Sequence, residues 1–239
     1  MPPKIKRVSD AVSRKFQKRI CHVSDTHGGF PRLHGRYDLV LHTGDFFPNS
    51  HHVLSNNKNL EMAFQLQWLR DNITNIKQWL NNHVLIYVPG NHDFLHPDLM
   101  EHELQKAGIK AFGIANRLFS FEGTNFYGFP YVPTIDGSWN YERGIPEMQQ
   151  ECDKMAEVLN QTFVDVLCCH APPYGCLDLT YGNEVIGSTV IGTTLDYKIA
   201  RDMLPPVYLC GHVHEANGFR VRNGQLISNA ATTYQIVEL

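Results

Sequence analysis

The sequence predicts a mixed α/β fold built on two β-sheets. Short apolar runs rich in β-branched residues alternate with stretches of helical periodicity along the 239 residues. This alternation is typical of βα units whose strands are buried on both faces. Each half of the chain also contains a stretch of hairpin character, and these hairpins favour two sheets over a single doubly wound sheet.

The buried strands are predicted where short apolar runs end in Gly, Pro, Asp or His. Five runs meet this description, at residues 20–23, 37–41, 84–88, 164–169 and 207–210. Hairpin strands are predicted at 118–129 and 219–237, because in the second segment two alternating runs flank the turn-forming pair Asn223-Gly224.

Helices are predicted between these strands. The first has an apolar residue every three or four positions, at Met62, Leu66, Leu69, Ile73, Ile76 and Leu80. A second begins at Pro97 and ends before Gly108, the positions that these two residue types favour. Two more are expected at residues 147–159 and 195–204.

Composition excludes several classes of protein. The chain has 24 acidic and 21 basic residues, a net charge of −3, which disfavours a dedicated duplex-DNA binder. No apolar run approaches the roughly 20 residues that cross a bilayer, and no secretory leader is recognisable. Seven basic residues fall within residues 1–19. We therefore expect a basic N-terminal tail at 1–19 and a single domain at 20–239, with no membrane partner.

The six cysteines contain no C-x-x-C pair, which disfavours both a zinc ribbon and a disulfide framework. Reduced thiols predict a cytoplasmic protein. The 13 histidines are more informative, because several directly follow the predicted buried strands.

Metal-ligand residue types follow each of the five buried strands. In chain order these segments are Asp25-Thr26-His27, Gly44-Asp45, Gly90-Asn91-His92-Asp93, His170 and Gly211-His212-Val213-His214. Ligands of α/β sheets bind beyond the carboxyl ends of strands, so the five segments are expected to share one crevice. Carboxylate, amide and imidazole donors together suit Mn, Fe, Zn or Ni better than Ca or Mg. The glycines let the backbone approach the ions closely.

This ordered set resembles the calcineurin-like metallophosphoesterase superfamily, whose pattern is D-x-H, G-D, G-N-H-D/E, H and G-H-x-H. The match spans residues 20–214, and segments 38–46, 127–133 and 170–175 are similar to the small metallophosphoesterase-domain branch, related to class III cyclic-nucleotide phosphodiesterases. The resemblance implies a four-layer α/β/β/α sandwich of two mixed sheets flanked by helices.

The resemblance also implies two divalent metal ions bridged by Asp45, with manganese favoured and iron, zinc or nickel open. One ion would also take Asp25, His27 and His214, and the other Asn91, His170 and His212. Such a centre hydrolyses phosphoesters by in-line attack of a metal-bridging hydroxide. His92, in the family's catalytic position, would be the general acid, with Asp93 or Asp25 orienting it.

The implied function is a metal-dependent phosphoesterase acting on phosphodiesters rather than monoesters, with cyclic or small nucleotides as the substrates considered. Nucleic acid is a less favoured partner. Two alternatives stay open: a DNA exonuclease or endonuclease of the same superfamily, and a catalytically silent binding scaffold. Because His92 and all seven ligand positions are present, the enzyme is favoured over the scaffold.

Substrate contacts are predicted from residues in loops near these motifs. His51 follows Asp45 in a polar loop, Trp139 and Arg143 lie in an aromatic segment suited to stacking a base or meeting a phosphate, and Tyr174 follows His170. A loop at 186–194 is a further candidate for touching phosphate. The chain departs from the family after Asp45, where Phe46-Phe47-Pro48-Asn49 stands in place of the polar residues that many members carry. The resemblance therefore predicts the ligands but not the shape of the pocket floor.

Overall fold

Two mixed β-sheets lie face to face, with helices on both outer faces, in the computed structural model, which describes residues 5–7, 18–50 and 57–239. The strands in chain order are β1 Ile5–Arg7, β2 Arg19–Val23, β3 Leu39–His42, β4 Val84–Tyr87, β5 Ala111–Gly113, β6 Leu118–Phe121, β7 Thr124–Phe129, β8 Val132–Pro133, β9 Glu142–Arg143, β10 Val166–Cys169, β11 Val207–Cys210, β12 Gly218–Arg222, β13 Gln225–Asn229 and β14 Tyr234–Glu238.

The first sheet has the strand order β1-β14-β2-β3-β4-β5, in which only β14 and β2 pair antiparallel among the described strands. The second has the order β12-β13-β11-β10-β7-β6. Its outer pairs are antiparallel hairpins, and Arg222 pairs with Gln225 across the predicted Asn223-Gly224 turn. The predicted class, two mixed sheets flanked by helices, is confirmed.

The helices are α1 Lys58–Leu80, α2 Pro97–Lys106, α3 Ile145–Gln161 and α4 Thr189–Tyr197. The first three agree with the sequence to within a few residues at each end. The prediction of a helix at 195–204 was wrong, because the chain becomes helical earlier, where the Ser188 hydroxyl accepts a hydrogen bond from the Ile191 N–H. Most of the predicted phosphate-touching loop at 186–194 is therefore helix.

Three apolar clusters separate four layers. Helices α1 and α2 pack on the first sheet through Leu69 and Leu104, and α3 and α4 pack on the second. A third cluster fills the space between the sheets, with Leu41 and Ile86 facing Phe126. Because strands buried on both faces carry apolar residues throughout, these strands read as continuous apolar runs in the sequence.

None of the helices in the described part of the chain is long and apolar enough to cross a membrane. All six cysteines are free and buried. Strand β1, which pairs parallel with β14, lies within the segment expected to be a basic tail. Most of that segment falls outside the described residues.

Candidate metal centre

Loops that follow strands of both sheets meet at one place. The Asp25 N–H donates to the Gly44 carbonyl at 2.9 Å within the first sheet's loops, and the Gly211 N–H donates to the His170 carbonyl at 2.9 Å within the second's. This edge of the molecule brings together all seven predicted ligands, which are Asp25, His27, Asp45, Asn91, His170, His212 and His214.

The Asp45 carboxylate lies at the middle of the cluster. Its Oδ2 is 3.3 Å from Nε2 of His170 and 4.0 Å from Nε2 of His27, and its Oδ1 accepts the His92 backbone N–H at 2.8 Å. The Asn91 Oδ1 lies 3.0 Å from Nε2 of the same His170 ring. Four of the five predicted segments therefore meet here: those of His27, Asp45, Asn91-His92 and His170.

Asp25 forms the second half of the cluster. Its Oδ1 is 3.2 Å from Nε2 of His214, and both of its oxygens accept the His212 backbone N–H, at 3.1 and 2.9 Å. The His27 ring lies 5.5 Å from the His214 ring, and the His212 ring lies 5.1 Å from that of His170. Asp25 and Asp45 are therefore linked by a continuous set of histidines.

The spacing of these donors fits divalent metal ions. Bonds to nitrogen and carboxylate oxygen of about 2.0–2.2 Å place two donors of one ion within about 4.4 Å of each other. The pairs Asp45–His170, Asp45–His27 and Asp25–His214, at 3.3, 4.0 and 3.2 Å, lie within this limit. Three groups have donor atoms within 4.8 Å of one another, and these are Asp25-His27-His214, His27-Asp45-His92 and Asp25-Asp45-His170. In addition, Nδ1 of His170 donates to the Thr43 carbonyl at 2.7 Å, an outer contact that is usual for a metal-binding histidine.

Electrostatics in the metal-free chain keep the carboxylates charged. Burial by itself raises the pKa of Asp45, but the neighbouring His170, His92 and His27 hold that pKa well below its usual range. Burial lowers the pKa of His170, but the Asp45 and Asp25 carboxylates outweigh it and raise the pKa to about 9. An incoming cation would therefore displace a proton from His170 at neutral pH.

Four of the seven candidate ligands have a strained backbone conformation. Asp25, His27, Asp45 and His212 all have left-handed φ angles, of 54°, 44°, 57° and 69°. Each such conformation costs a non-glycine residue about 1–3 kcal/mol and persists only where surrounding contacts enforce it. Strain of this kind clusters at functional sites, where it aims side chains into one space.

Two glycines lie so close to the carboxylates of the cluster that a side chain would not fit at either position. A Cβ atom at Gly90 would lie 2.3 Å from Oδ1 of Asp45, and one at Gly211 would lie 2.1 Å from Oδ2 of Asp25. Any side chain at either position would displace a carboxylate of the cluster.

The predicted general acid, His92, lies beside this centre. Its ring centroid is 4.8 Å from that of His27, and its other neighbour is Trp139, whose ring lies 4.0 Å away at an angle of 33°. Its Nδ1 donates a hydrogen bond to the side-chain oxygen of Asn49. Asn49 thus occupies the orienting position that the sequence analysis assigned to Asp93 or Asp25.

Asp93 has a different set of contacts. Its carboxylate accepts the backbone N–H groups of Phe47 and Gly90, at 3.0 and 2.8 Å. Burial and the nearby Asp45 raise the pKa of this carboxyl to about 7. These bonds hold together the two loops that carry Asp45 and His92, so Asp93 contacts the loop backbone rather than the His92 ring.

The apolar face predicted for α1 is only partly correct. Met62 is 38% exposed, whereas Glu61 and Gln65 are completely buried in line with Leu69. Gln65 donates to the His92 carbonyl at 2.7 Å, and Glu61 accepts from Asn49 at 3.2 Å. Sequence reasoning missed this support, although two polar residues four apart on a buried helical line are a signal for it.

The predicted substrate contacts differ in where they lie. Trp139 reaches the site, because the adjoining Asn140 donates to the carbonyls of Asn91 and Asp93 at 3.0 and 2.8 Å. The Arg143 guanidinium instead lies 4.4 Å from the centre of the Tyr131 ring.

Tyr174 is half exposed, and its backbone pairs with that of Ser188. His51 lies outside the described residues.

Comparison with known proteins finds a matching family model and several relatives that cover most of the chain. The family described as calcineurin-like phosphoesterase matches residues 18–216. A UPF0046 protein of Caenorhabditis elegans is 27% identical over 92% of this chain and 68% of its own length. Metallophosphoesterase domain-containing protein 1 of Homo sapiens is 23% identical over 98% of this chain and 71% of its own.

Two solved structures share the fold at low sequence identity. One has a TM-score of 0.69 at 14% identity, covering 92% of this chain and 95% of that chain. The other, TT1561 of Thermus thermophilus, has a TM-score of 0.53 at 10% identity, covering 90% and 89%.

Proposed function

The chain belongs to the calcineurin-like phosphoesterase family, and from that premise we propose that it hydrolyses phosphodiesters, with cyclic or small nucleotides as the first substrates to test. The observation that carries this proposal is the position of His92 beside the cluster of Asp45 and its histidines. That arrangement unites a candidate proton donor with candidate metal ligands, which the scaffold alternative would not require.

Two divalent ions are proposed, with Asp45 shared between them. Asp25, His27 and His214 would complete the ligands of one ion, and Asn91, His170 and His212 those of the other. When bound, the ions would supply an activated water and neutralise charge on the phosphate oxygens. The mixed nitrogen and oxygen donors support manganese as the first metal to test, followed by iron, zinc and nickel.

His92 is proposed as the general acid. Because Nδ1 donates to Asn49, the nitrogen left for the substrate is Nε2. A protonated ring would then donate from Nε2 to the departing alkoxide, which needs a proton to leave. The Trp139 ring, tilted by 33° with its centroid 4.0 Å away, packs against the His92 ring.

Charge supports a diester over a monoester. A phosphomonoester dianion carries one more negative charge than a diester, and it benefits from a cationic side chain beside the metals. Arg143, the cation suggested for this role by the sequence, is directed to Tyr131 and donates to the Glu142 carbonyl at 2.8 Å. Among the residues that the structure describes, Arg143 is thus engaged away from the cluster, which supports the less charged diester as the substrate to test first.

The test compares two esters on chelator-stripped protein with Mn²⁺ restored. We expect faster cleavage of bis-p-nitrophenyl phosphate than of p-nitrophenyl phosphate, with activity lost on metal removal. His92→Ala should lower the rate about 10²- to 10⁴-fold with diphenyl phosphate, whose poor leaving group needs a proton, and by less with bis-p-nitrophenyl phosphate, while calorimetry shows that metal still binds. His102→Ala, which changes an exposed histidine on α2, is the matched control.

The remaining outcomes discriminate between the alternatives. Faster monoester cleavage would overturn the diester assignment, and faster cleavage of single-stranded or duplex DNA would make the protein a nuclease. No turnover of any ester with metal bound would favour a binding scaffold.

A cytoplasmic location is also proposed. Six free cysteines, all buried, support it, since thiols persist in reducing compartments. The division into a basic tail at 1–19 and one domain at 20–239 stays a prediction, and limited proteolysis followed by mass spectrometry would test it.

A further inference from the structure

We propose that Glu61 and Asn49 are positioning residues that hold His92 in the tautomer with hydrogen on Nδ1, so that Nε2 is the nitrogen that meets the leaving group. The inference rests on the proposed function for its catalytic meaning. The hydrogen-bond arrangement itself can be tested without any turnover.

Glu61 determines how the Asn49 amide is turned. Its side chain is completely buried, and its carboxylate accepts from Nδ2 of Asn49 at 3.2 Å and from the backbone N–H and hydroxyl of Ser50 at 2.9 and 2.5 Å. An ionised carboxylate accepts hydrogen bonds and donates none. The nitrogen end of the Asn49 amide must therefore face Glu61.

The second hydrogen of that amide nitrogen is also used. Nδ2 of Asn49 donates to the His92 carbonyl at 3.0 Å. With both amide hydrogens engaged, the oxygen end is presented to Nδ1 of the His92 ring. An amide oxygen only accepts, so Nδ1 must carry a hydrogen. A neutral His92 consequently has its lone pair on Nε2, and a protonated one has its second hydrogen there.

The carboxylate of Glu61 is unexpected at its position in the helix. Glu61 lies on the buried line of α1 that continues through Leu69 and Ile76, where an apolar residue would pack. Burying a charge is costly unless it is well hydrogen-bonded. Three accepted hydrogen bonds from the loop that precedes α1 satisfy this requirement, and they tie the helix to the His92 ring through one amide.

Gln65, one turn along the same helix, provides a matched control. It is equally buried, and it donates to the His92 carbonyl at 2.7 Å while accepting the N–H groups of Phe94 and Leu95 at 2.7 and 2.9 Å. Gln65 thus supports the backbone of the His92 loop. These bonds go to backbone atoms, whereas Asn49 also bonds the ring.

The test reads the tautomer directly from two-bond ¹H–¹⁵N spectra of histidine-labelled, zinc-loaded protein, with the His92 signals identified by their loss in His92→Gln. The wild type is expected to show hydrogen on Nδ1. Asn49→Leu and Glu61→Leu should shift His92 toward the Nε2–H tautomer. Glu61→Gln should retain the wild-type tautomer, because its oxygen can accept from Asn49 while its amide donates to the Ser50 hydroxyl.

A kinetic measurement separates positioning from general loss of structure. A general acid matters most for poor leaving groups, so Asn49→Leu should lower the rate at least about tenfold more with diphenyl phosphate than with bis-p-nitrophenyl phosphate. Gln65→Leu should lower both rates by the same factor and keep the tautomer.

The proposal is overturned if wild-type His92 carries its hydrogen on Nε2, a result that needs only His92→Gln to identify the signals, or if Asn49→Leu leaves the tautomer unchanged. If the His92 tautomers are as expected in the wild type and the variants but the protein has no esterase activity, only the proposed function is contradicted.

Discussion

At the scale of single residues, the centre depends on Gly90, because there is no room for a side chain at this position. Gly90 has an ordinary φ angle, so its importance is spatial: an added Cβ would lie 2.3 Å from Oδ1 and 2.6 Å from the backbone nitrogen of Asp45. Oδ1 is buried and accepts the His92 backbone N–H at 2.8 Å, so it cannot move away without displacing the proposed bridging carboxylate.

We therefore expect Gly90→Ala to weaken Mn²⁺ binding by at least about tenfold, the scale of effect seen when the support of metal ligands is disturbed. Isothermal titration calorimetry of the chelator-stripped protein measures it. Gly182→Ala is the control, because the nearest atom to its added Cβ would be at an ordinary 3.6 Å. Wild-type affinity in Gly90→Ala would mean that Asp45 is not a ligand.

The candidate ligands could be predicted from sequence because each lies a few residues beyond a buried strand, and parallel strands end at one edge. Asn49 could not be predicted as the partner of His92, which is 43 positions away. That contact depends on how the loop after Asp45 packs against α1. No local pattern in the sequence encodes such packing, whereas strand-end positions follow from local patterns alone.

At the scale of elements, helix α4 shows where periodicity misleads. Its buried residues Ile191 and Leu195 are four apart, and the same spacing continues to the buried Ile199, beyond the end of the helix. The apolar pattern therefore does not show where helix α4 begins or ends. The start is set by Ser188, whose hydroxyl accepts the Ile191 N–H at 3.2 Å and is itself buried.

Ser188→Ala should accordingly lower the free energy of unfolding by about 1 kcal/mol, the usual cost of removing an N-cap. Urea denaturation followed by circular dichroism measures the change. Thr193→Ala, at an exposed position in the same helix, should change stability by less than about 0.5 kcal/mol. Equal effects of the two substitutions would show that Ser188 does not begin the helix.

At the scale of the whole molecule, both sheets contribute to the centre. Asp25 and Asp45 follow strands of the first sheet, while His170, His212 and His214 follow strands of the second. The apolar layer between the sheets fixes their separation, with Leu41 and Ile86 on one side and Phe126 on the other. The distances within the metal centre therefore depend on the packing of this layer, which connects the core directly to function.

This dependence predicts that the two sheets unfold together. Cys21 is buried between the first sheet and its helices, and Cys152 is buried between α3 and the second sheet, so each thiol reports on one half. Pulse alkylation at increasing urea, read by mass spectrometry, should give one midpoint for both thiols. Added Mn²⁺ should raise that midpoint equally for both, because ions bound by both sheets stabilise only the joined state.

Phe126→Ala provides the matched perturbation, because it removes a ring from the layer that the sheets share. A buried phenylalanine truncated to alanine costs about 3–5 kcal/mol, and both thiols should become reactive at the same lower urea concentration. Val221→Ala, at a position 69% exposed on β12, should leave both midpoints unchanged. Labelling of Cys21 at lower urea than Cys152 would contradict the prediction, since the first sheet would then unfold without the second and the metal centre would not couple them.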